Sequence, residues 1–304
     1  VLEAFEKGSD KKSDANDLKT ISVIKIPEIL VDNTDRNRTS PFAFTGNKFE
    51  FRAVGSSANS AGPMIVLNTI MANQLIEFKK EVDALINKGE KKEAAIIKVL
   101  RKYVKASKKI LFEGNGYSDE WVKEALKRGL TNIKEVPDAI DAYINKSSEE
   151  VFVKNNIFSK KELHARYEIR LETFIKKVQI ESRVMGDLGE TVIIPSALNY
   201  QNKIADTVFR MKELGLSKDS YEVHMATIKE ISEHVSVIKK SIKEMVEARK
   251  VGNKIEDARK RADHYCYKVK PYFAVIRYHS DKLERIVENE LWQLPKYREI
   301  LFLK

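Results

Sequence analysis

Five charged residues are the strongest candidates for chemistry in this sequence of 304 residues: Arg36, Arg38, Lys48, Glu50 and Arg52. If residues 48–52 form a β-strand, Lys48, Glu50 and Arg52 share one face, about 6.6 Å apart in order. A carboxylate can ligate a divalent cation, and fixed cations beside it can bind anionic groups. The pattern therefore favours the handling of a polyanion, as in phosphoryl transfer. The residues alone leave a second interpretation open, an ordinary exposed strand face with cross-strand ion pairs.

The remaining sequence lacks the motifs of other common sites. Its five histidines are scattered without a His-x-x-x-His pair, and we expect each to be a surface or packed polar residue. There is no Walker loop, dinucleotide glycine fingerprint, nucleophile elbow or zinc cysteine cluster. Cys266 is the single cysteine, which excludes an internal disulfide, fits a reducing cytosol and predicts a packed thiol.

Charge and hydropathy argue against two further classes of function, nucleic-acid binding and membrane insertion. The net charge is +10, but the 55 Lys and Arg are interleaved with 45 Asp and Glu along helical faces. Because no Arg-rich block or basic stripe with aromatics occurs, a solvated helical surface explains the excess of positive charge better than nucleic-acid binding does. No apolar run approaches the length of a membrane span, and the first residues do not form a signal peptide.

A β-hairpin must position the charged residues. Phe42–Phe44 and Lys48–Arg52 flank a short turn at Thr45–Asn47, the pattern of two paired strands. Pro63 suits the first turn of a helix, and apolar residues at helical spacing follow it as a core stripe. The sequence thus predicts a hairpin that leads into a helix.

From about Leu75 onward the pattern is helical. A stretch over roughly 74–110 has a possible break at Lys88–Gly89. Ser118 is a predicted N-cap with Gly129 as the C-cap, and Ser159 begins a capping box with Glu162. The predicted helices beyond Ser118 cover 119–128, 137–145, 159 to about Met185, 196–213, 218–252 and 253–291, the last broken at Pro271. We expect the final two to form an antiparallel pair hinged near Gly252–Asn253.

Residues 35–52 read Asp-Arg-Asn-Arg-Thr-Ser-Pro-Phe-Ala-Phe-Thr-Gly-Asn-Lys-Phe-Glu-Phe-Arg, a run that closely resembles the glutamine synthetase family, particularly its type III branch. The family pattern is Asn-Arg-Ser, a hairpin, Glu-x-Arg, and a small-residue loop before a helix. Here it is Asn37-Arg38-Thr39, Glu50-Phe51-Arg52 and the loop Ala58–Pro63. Further stretches that resemble type III are Phe112–Trp121, Ile194–Ala197 and Trp292–Tyr297.

The resemblance implies a role for four residues. Glu50 would ligate one of two divalent ions, and Arg52 would bind the glutamate substrate. Arg38 would be catalytic, facing ATP phosphate and the γ-glutamyl phosphate intermediate, and Lys48 would be a further ATP contact. Many relatives have a second arginine where this sequence has Ala43, so Arg36 is a conceivable substitute for that phosphate contact.

The resemblance also implies a fold and an activity. We expect a predominantly helical α+β chain: residues 1–182 form the C-terminal part of a catalytic domain, with the hairpin and helices, and 183–304 a helical extension. The parent enzyme would be a glutamate–ammonia ligase of nitrogen metabolism in the cytoplasm. It would join ammonia to L-glutamate with ATP and Mg²⁺ or Mn²⁺, in a large homo-oligomeric ring. The family's other metal ligands lie upstream of this region, so we expect this chain alone to be inactive.

Two other classes of function remain as alternatives. In the first, the chain is a non-catalytic helical scaffold or oligomerisation module that is indifferent to Mn²⁺ and nucleotide. In the second, it is a basic RNA-binding protein whose affinity falls steeply with salt. Metal titration and salt dependence separate these alternatives from a ligase.

Overall fold

The computed structural model describes residues 59–111 and 118–301, together with the backbone of 42–44 and 49–51. The chain divides into two compact units. The first contains residues 1–133 and 150–157, and the second contains residues 134–149 and 158–304.

Two short strands lie in the first unit. β1, Phe42–Phe44, pairs antiparallel with β2, Phe49–Phe51, and Ala43 lies opposite Glu50. The predicted turn at Thr45–Asn47 and the side chains of both strands lie outside the described residues. The predicted hairpin with its charged face is therefore not confirmed and stays a prediction.

The helices of the first unit begin where the sequence pattern predicts. α1, Ala61–Ile86, has Pro63 in its first turn, and α2 follows at Lys92–Ser107. The predicted break between them is confirmed, because Gly89 has φ +93°, a conformation that favours glycine. Val82 of α1 and Ala95 and Val99 of α2 form a small buried cluster, so the break folds the two helices onto each other.

The third helix confirms its predicted caps. α3, Asp119–Lys127, begins after Ser118, whose Oγ accepts a hydrogen bond of 3.3 Å from the Trp121 N–H. Gly129 lies two residues after the last residue of the helix, with φ +73° and a backbone N–H that donates to the Leu126 carbonyl. Local sequence signals therefore determine both ends of this helix.

The second unit is built from helices alone among its described residues. Their bounds are α4 Val136–Ile140, α6 Lys160–Leu188, α7 Ile194–Glu213, α8 Glu222–Gly252, α9 Ala258–His264, α10 Pro271–Ile286 and α11 Tyr297–Ile300. Between α4 and α6, α5 runs over Lys146–Lys154, so it begins in the second unit while its residues 150–154 belong to the first. The capping box of α6 is confirmed, because Ser159 and Glu162 exchange both of its hydrogen bonds.

One predicted break is wrong. The sequence pattern predicts a helix that ends near Met185 and a separate helix at 196–213. Instead, a π-helical turn at Gly189–Ile193 joins α6 to α7 without interruption. Pro195 does not end the helix, because it lies in the first turn of α7. The predicted domain boundary at residue 182 falls inside α6, and as a boundary between family domains it stays a prediction.

The core of the second unit is a seam between α8 and α10. The buried residues Ile231, Ile238, Ile242 and Met245 of α8 recur at spacings of seven, four and three, the stripe of one helical face. Ile276 and Leu283 of α10 belong to the same buried cluster.

The two arms of this seam are antiparallel, as predicted. His234 of α8 meets His279 of α10, whereas the end of α8 at Gly252 lies beside Tyr265, earlier in the returning arm. The hinge after Gly252 is therefore confirmed. The returning arm consists of α9, a π-helical turn at Tyr265–Val269, and α10, which begins at the predicted break, Pro271.

The predicted predominance of helix is confirmed. In the part of the chain for which helices are described, none is both long and apolar enough to cross a membrane.

We expect Gly252→Ala to destabilise the second unit. A Cβ at Gly252 would lie 2.8 Å from His264 Cδ2 and 3.0 Å from Tyr265 Cε2, and both atoms belong to rings held by hydrogen bonds. Overpacking of this kind costs about 1–3 kcal/mol, which thermal unfolding followed by circular dichroism would detect.

The matched control is Gly186→Ala in α6, where a Cβ would meet Ile242 Cγ2 at an ordinary 3.6 Å. We expect this change to be neutral or to stabilise by up to about 1 kcal/mol, because alanine favours helix. Equal melting temperatures for both variants would contradict the proposed close approach at Gly252.

Candidate functional site

The predicted site residues lie beyond what the structure describes. Arg36, Arg38, Lys48 and Arg52 fall outside the described residues, and for Glu50 only the backbone is described. Their predicted roles therefore stay predictions. Within residues 59–111 and 118–301, no group of three or more His, Cys, Asp or Glu side chains could hold a metal ion.

The densest polar cluster of the second unit is centred on Arg259, near the start of α9. Its guanidinium donates two hydrogen bonds to the Asp141 carboxylate, from Nε to Oδ1 at 2.8 Å and from Nη2 to Oδ2 at 2.9 Å. Nη2 also donates to Asp138 at 2.8 Å, and Nη1 donates to Asp263. The Tyr167 hydroxyl completes the cluster with a 3.1 Å bond to Asp141. The Arg259 network thus links α4 and the turn after it to α6 and α9.

Three groups of this network, Asp141, Arg259 and Tyr167, do not titrate near neutral pH. The hydrogen bond from Arg259 lowers the pKa of Asp141, and the carboxylates around Arg259 raise the pKa of its guanidinium. Burial, followed by the hydrogen bond to Asp141, raises the pKa of Tyr167 to about 12. Because the charge of each of these three groups is fixed, the network positions helices and does not transfer protons.

A second polar group surrounds Cys266 in the π-helical turn. Cys266 Sγ donates to Glu135 Oε2 at 3.1 Å, and Lys270 Nζ bonds the same oxygen at 2.9 Å. Burial, followed by the hydrogen bond to Glu135, raises the pKa of the thiol to about 12. The thiol therefore stays protonated, and the prediction that Cys266 is a packed structural residue is confirmed.

Two histidines face each other beside the seam of α8 and α10. The Nδ1 atoms of His234 and His279 are 2.8 Å apart, which requires that one ring donates and the other accepts. Glu230 Oε1 lies 3.8 Å from Nε2 of His234. Burial, followed by the charge of His234, lowers the pKa of His279. One proton therefore lies between the two Nδ1 atoms, and the lowered pKa of His279 disfavours the binding of a further proton to its ring.

The turn between α7 and α8 forms an open surface hollow of about 410 Å³. Lys212 lies over the Tyr221 ring, 5.3 Å from its centroid. The hollow is lined by Lys212, Lys218, Tyr221, Glu222, Met225, Ala226 and Lys229. With a single carboxylate and no nucleophile beside a base, this lining does not form an acid–base or metal centre.

Sequence reasoning missed the Arg259 network, although part of it has a local signal. Arg259 and Asp263 are four residues apart on one helix, a spacing that predicts an ion pair. Asp138 and Asp141 have no such signal, because they lie 121 and 118 residues away along the chain. Only the folding of α4 against α6 and α9 brings these carboxylates to Arg259.

We expect Arg259→Lys to destabilise the second unit, because an ammonium group cannot reproduce the two-pronged grip on Asp141. The Arg259 side chain is 24% exposed, and hydrogen bonds between charged groups of this kind contribute about 1.5–3 kcal/mol. Urea unfolding would measure the loss of stability.

Arg277→Lys is the matched control, since Arg277 pairs with Asp281 four residues later on α10 at 62% exposure. An exposed pair contributes little, so stability should change by less than about 0.5 kcal/mol. The network would lose its assigned role if the two variants unfolded at the same urea concentration.

We expect His279 to make the second unit less stable in mild acid. Its folded pKa lies below the ordinary value near 6.5, so below that pH the unfolded chain binds a proton that the folded chain resists. The stability from the neutral ring is therefore present above about pH 6.5 and is lost as the pH falls below it.

Melting temperatures at about pH 7.5 and about pH 5 test this, compared between the parent chain and His279→Gln, which removes the titrating ring. The variant should show the smaller drop in acid. A drop of the same size in both proteins would exclude His279 as its source.

Comparisons with known proteins agree with the resemblance of residues 35–52. The family model described as the glutamine synthetase C-terminal domain matches residues 95–212. A glutamine synthetase of Bacteroides fragilis is 51% identical over 288 residues, which cover 93% of this chain and 39% of that protein. The type-3 glutamine synthetase of Dictyostelium discoideum is 34% identical over the whole chain and 42% of its own length.

A glutamine synthetase of Butyrivibrio fibrisolvens is 33% identical over 89% of this chain and 38% of its own length. The chain thus spans about two fifths of the length of these three relatives. The region matched by the family model includes α6, the π-helical turn and most of α7. The run at 35–52 lies outside that region but within the match to the Dictyostelium discoideum enzyme, which covers the whole chain. The chain is therefore similar to glutamine synthetases over almost its whole length, and residues 95–212 match the C-terminal domain of that family.

Proposed function

We propose that this chain is the C-terminal part of a type III glutamine synthetase subunit. The complete enzyme joins ammonia to L-glutamate with ATP, through γ-glutamyl phosphate. The observation that carries this proposal is the similarity to glutamine synthetases over almost the whole chain. In this proposal residues 1–182 complete the catalytic domain and residues 183–304 form the helical extension.

The proposed chemistry needs the residue types found between positions 36 and 52. The reaction activates a carboxylate by phosphorylation, and ammonia then displaces the phosphate. Negative charge develops on the transferred phosphoryl group, which rigid guanidinium donors stabilise. We assign Arg38 to the phosphate, Lys48 to ATP and Arg52 to the glutamate carboxylate, which a guanidinium can bind with two parallel hydrogen bonds. Arg36 is the proposed substitute for the phosphate contact that Ala43 cannot supply.

The proposed metal is Mg²⁺ or Mn²⁺, and its ligand from this chain is Glu50. Carboxylate oxygen is the ligand type that these hard cations prefer, so Glu50 fits the role chemically. No cluster among residues 59–111 and 118–301 provides an alternative site. When bound, the metal would neutralise phosphate charge during transfer.

One carboxylate does not hold Mg²⁺ tightly without further ligands. The other metal ligands therefore come, in this proposal, from the part of the relatives that this chain does not span. We accordingly propose that the chain alone has no ligase activity. The complete enzyme is proposed to work in the cytoplasm as a homo-oligomeric ring, and the unpaired thiol of Cys266 fits a reducing compartment.

A non-catalytic helical scaffold or oligomerisation module is the second candidate function. The observation that favours it is the composition of the described polar clusters. The Arg259 network and the Cys266 group hold fixed charges and link helices. A scaffold needs only polar groups of this kind, which link helices. This second function predicts that the chain does not respond to Mn²⁺ or ATP.

A chimera tests the proposed function: this chain replaces the matching region of the Bacteroides fragilis enzyme, to which it is 51% identical. We expect the chimera to form glutamine from glutamate, ammonia and ATP, whereas the chain alone forms none. Glu50→Gln in the chimera should raise the Mn²⁺ concentration for half-maximal rate by about tenfold or more, because a charged ligand is lost.

Glu233→Gln is the matched control, since Glu233 is an exposed residue of α8. It should leave the metal dependence unchanged. If Glu50→Gln left the metal dependence unchanged, Glu50 would not be a metal ligand. If the chain alone formed glutamine, the proposal that the other metal ligands lie outside this chain would be refuted.

A further inference from the structure

The first half of α1 exposes a stripe of large apolar side chains. Five of them lie within about 140° of arc on an ideal helix. Their exposed fractions are 41% for Met64, 41% for Ile65, 42% for Met71, 59% for Leu75 and 51% for Ile76. We call these five residues the α1 apolar face. Apolar surface that is contiguous and exposed marks an interaction site.

The second half of α1 has a different composition and is already covered. Val82 is 6% exposed and packs in the cluster with α2, and Glu81 bonds Lys102 of α2 at 2.6 Å. Charged residues begin at Glu77, whereas the sequence contains none from Ala53 to Ile76. The helix thus changes at Glu77 from an uncharged, exposed segment to an amphipathic segment with its own partner.

The absence of charge restricts what can cover the α1 apolar face. A helix that lies on a membrane surface carries Lys or Arg on its polar side, and residues 53–76 have neither. A nucleic acid or an acidic peptide would likewise need cations. Surfaces without charge are typical of permanent contacts, which resemble the core of a domain.

We propose that the α1 apolar face packs against the part of the glutamine synthetase polypeptide that precedes this region in its longer relatives. Because this chain spans about two fifths of those relatives, some three fifths of their length is available to cover the helix. This inference rests on the proposed function, in which the chain is the C-terminal part of such a subunit. It adds a specific interface, the first four turns of α1.

Cysteine labelling in the chain and in the chimera tests the interface. Leu75→Cys introduces an exposed thiol, while the native Cys266 is 3% exposed and stays protonated. Maleimide labelling at position 75, followed by mass spectrometry of its peptide, should be about tenfold slower or more in the chimera than in the chain alone. The control is Leu214→Cys at the end of α7, where the native side chain is 78% exposed and labelling should be equally fast in both proteins.

Each other outcome has a distinct meaning. Equal labelling of Leu75→Cys in chain and chimera overturns the proposal, and an active chimera would show that the proposed function survives this failure. Slow labelling in the chain alone also overturns it. If the labelling rate of the chain alone then fell with rising protein concentration, a second copy of the chain would be the occupant. If deletion of residues 1–58 restored fast labelling, that segment would be the occupant. Protection in an inactive chimera would support the interface while the proposed function fails.

Discussion

Burial of one apolar stripe on α8 is the interaction on which the second unit depends. Ile231, Ile238, Ile242 and Met245 are at most 2% exposed, and they share one cluster with residues of α6, α7 and α10. Because the stripe runs along a helix of 31 residues, other helices can pack along its length. Close approach at its end requires Gly252, where a side chain would meet the rings of His264 and Tyr265.

The polar groups of the second unit add specificity to this apolar core. Arg259 and Lys270 each hold carboxylates that come from a distant part of the sequence, around α4. Most of these groups have fixed charge at neutral pH, so they define which helices meet without adding a response to pH. The pair of His234 and His279 differs, because burial beside the seam lowers the pKa of His279 and so ties the stability of the unit to pH.

The described residues and the proposed chemistry occupy different parts of the chain. The helices from Ala61 onward have a structural account in buried stripes, caps and ion pairs. The residues proposed to bind ATP, glutamate and metal lie between Arg36 and Arg52, where family resemblance is the basis for their roles.

The sequence by itself indicated the family and several helix ends, because both depend on short runs of residues. Ser118, Gly129, and Ser159 with Glu162 act through local backbone geometry, and the structure confirms each of them. The hinge near Gly252 is also confirmed, but Gly252 acts there through the close approach of the His264 and Tyr265 rings. The site residues from Arg36 to Arg52 were likewise recognised from one run, and they remain predictions. Tertiary structure alone decided the continuous path from α6 through the π-helical turn into α7, where Ile193, Ile194 and Ala197 pack in the core and outweigh the local signals of Gly189 and Pro195. It also decided the Arg259 network, since no local pattern relates an arginine to carboxylates that lie more than a hundred residues away.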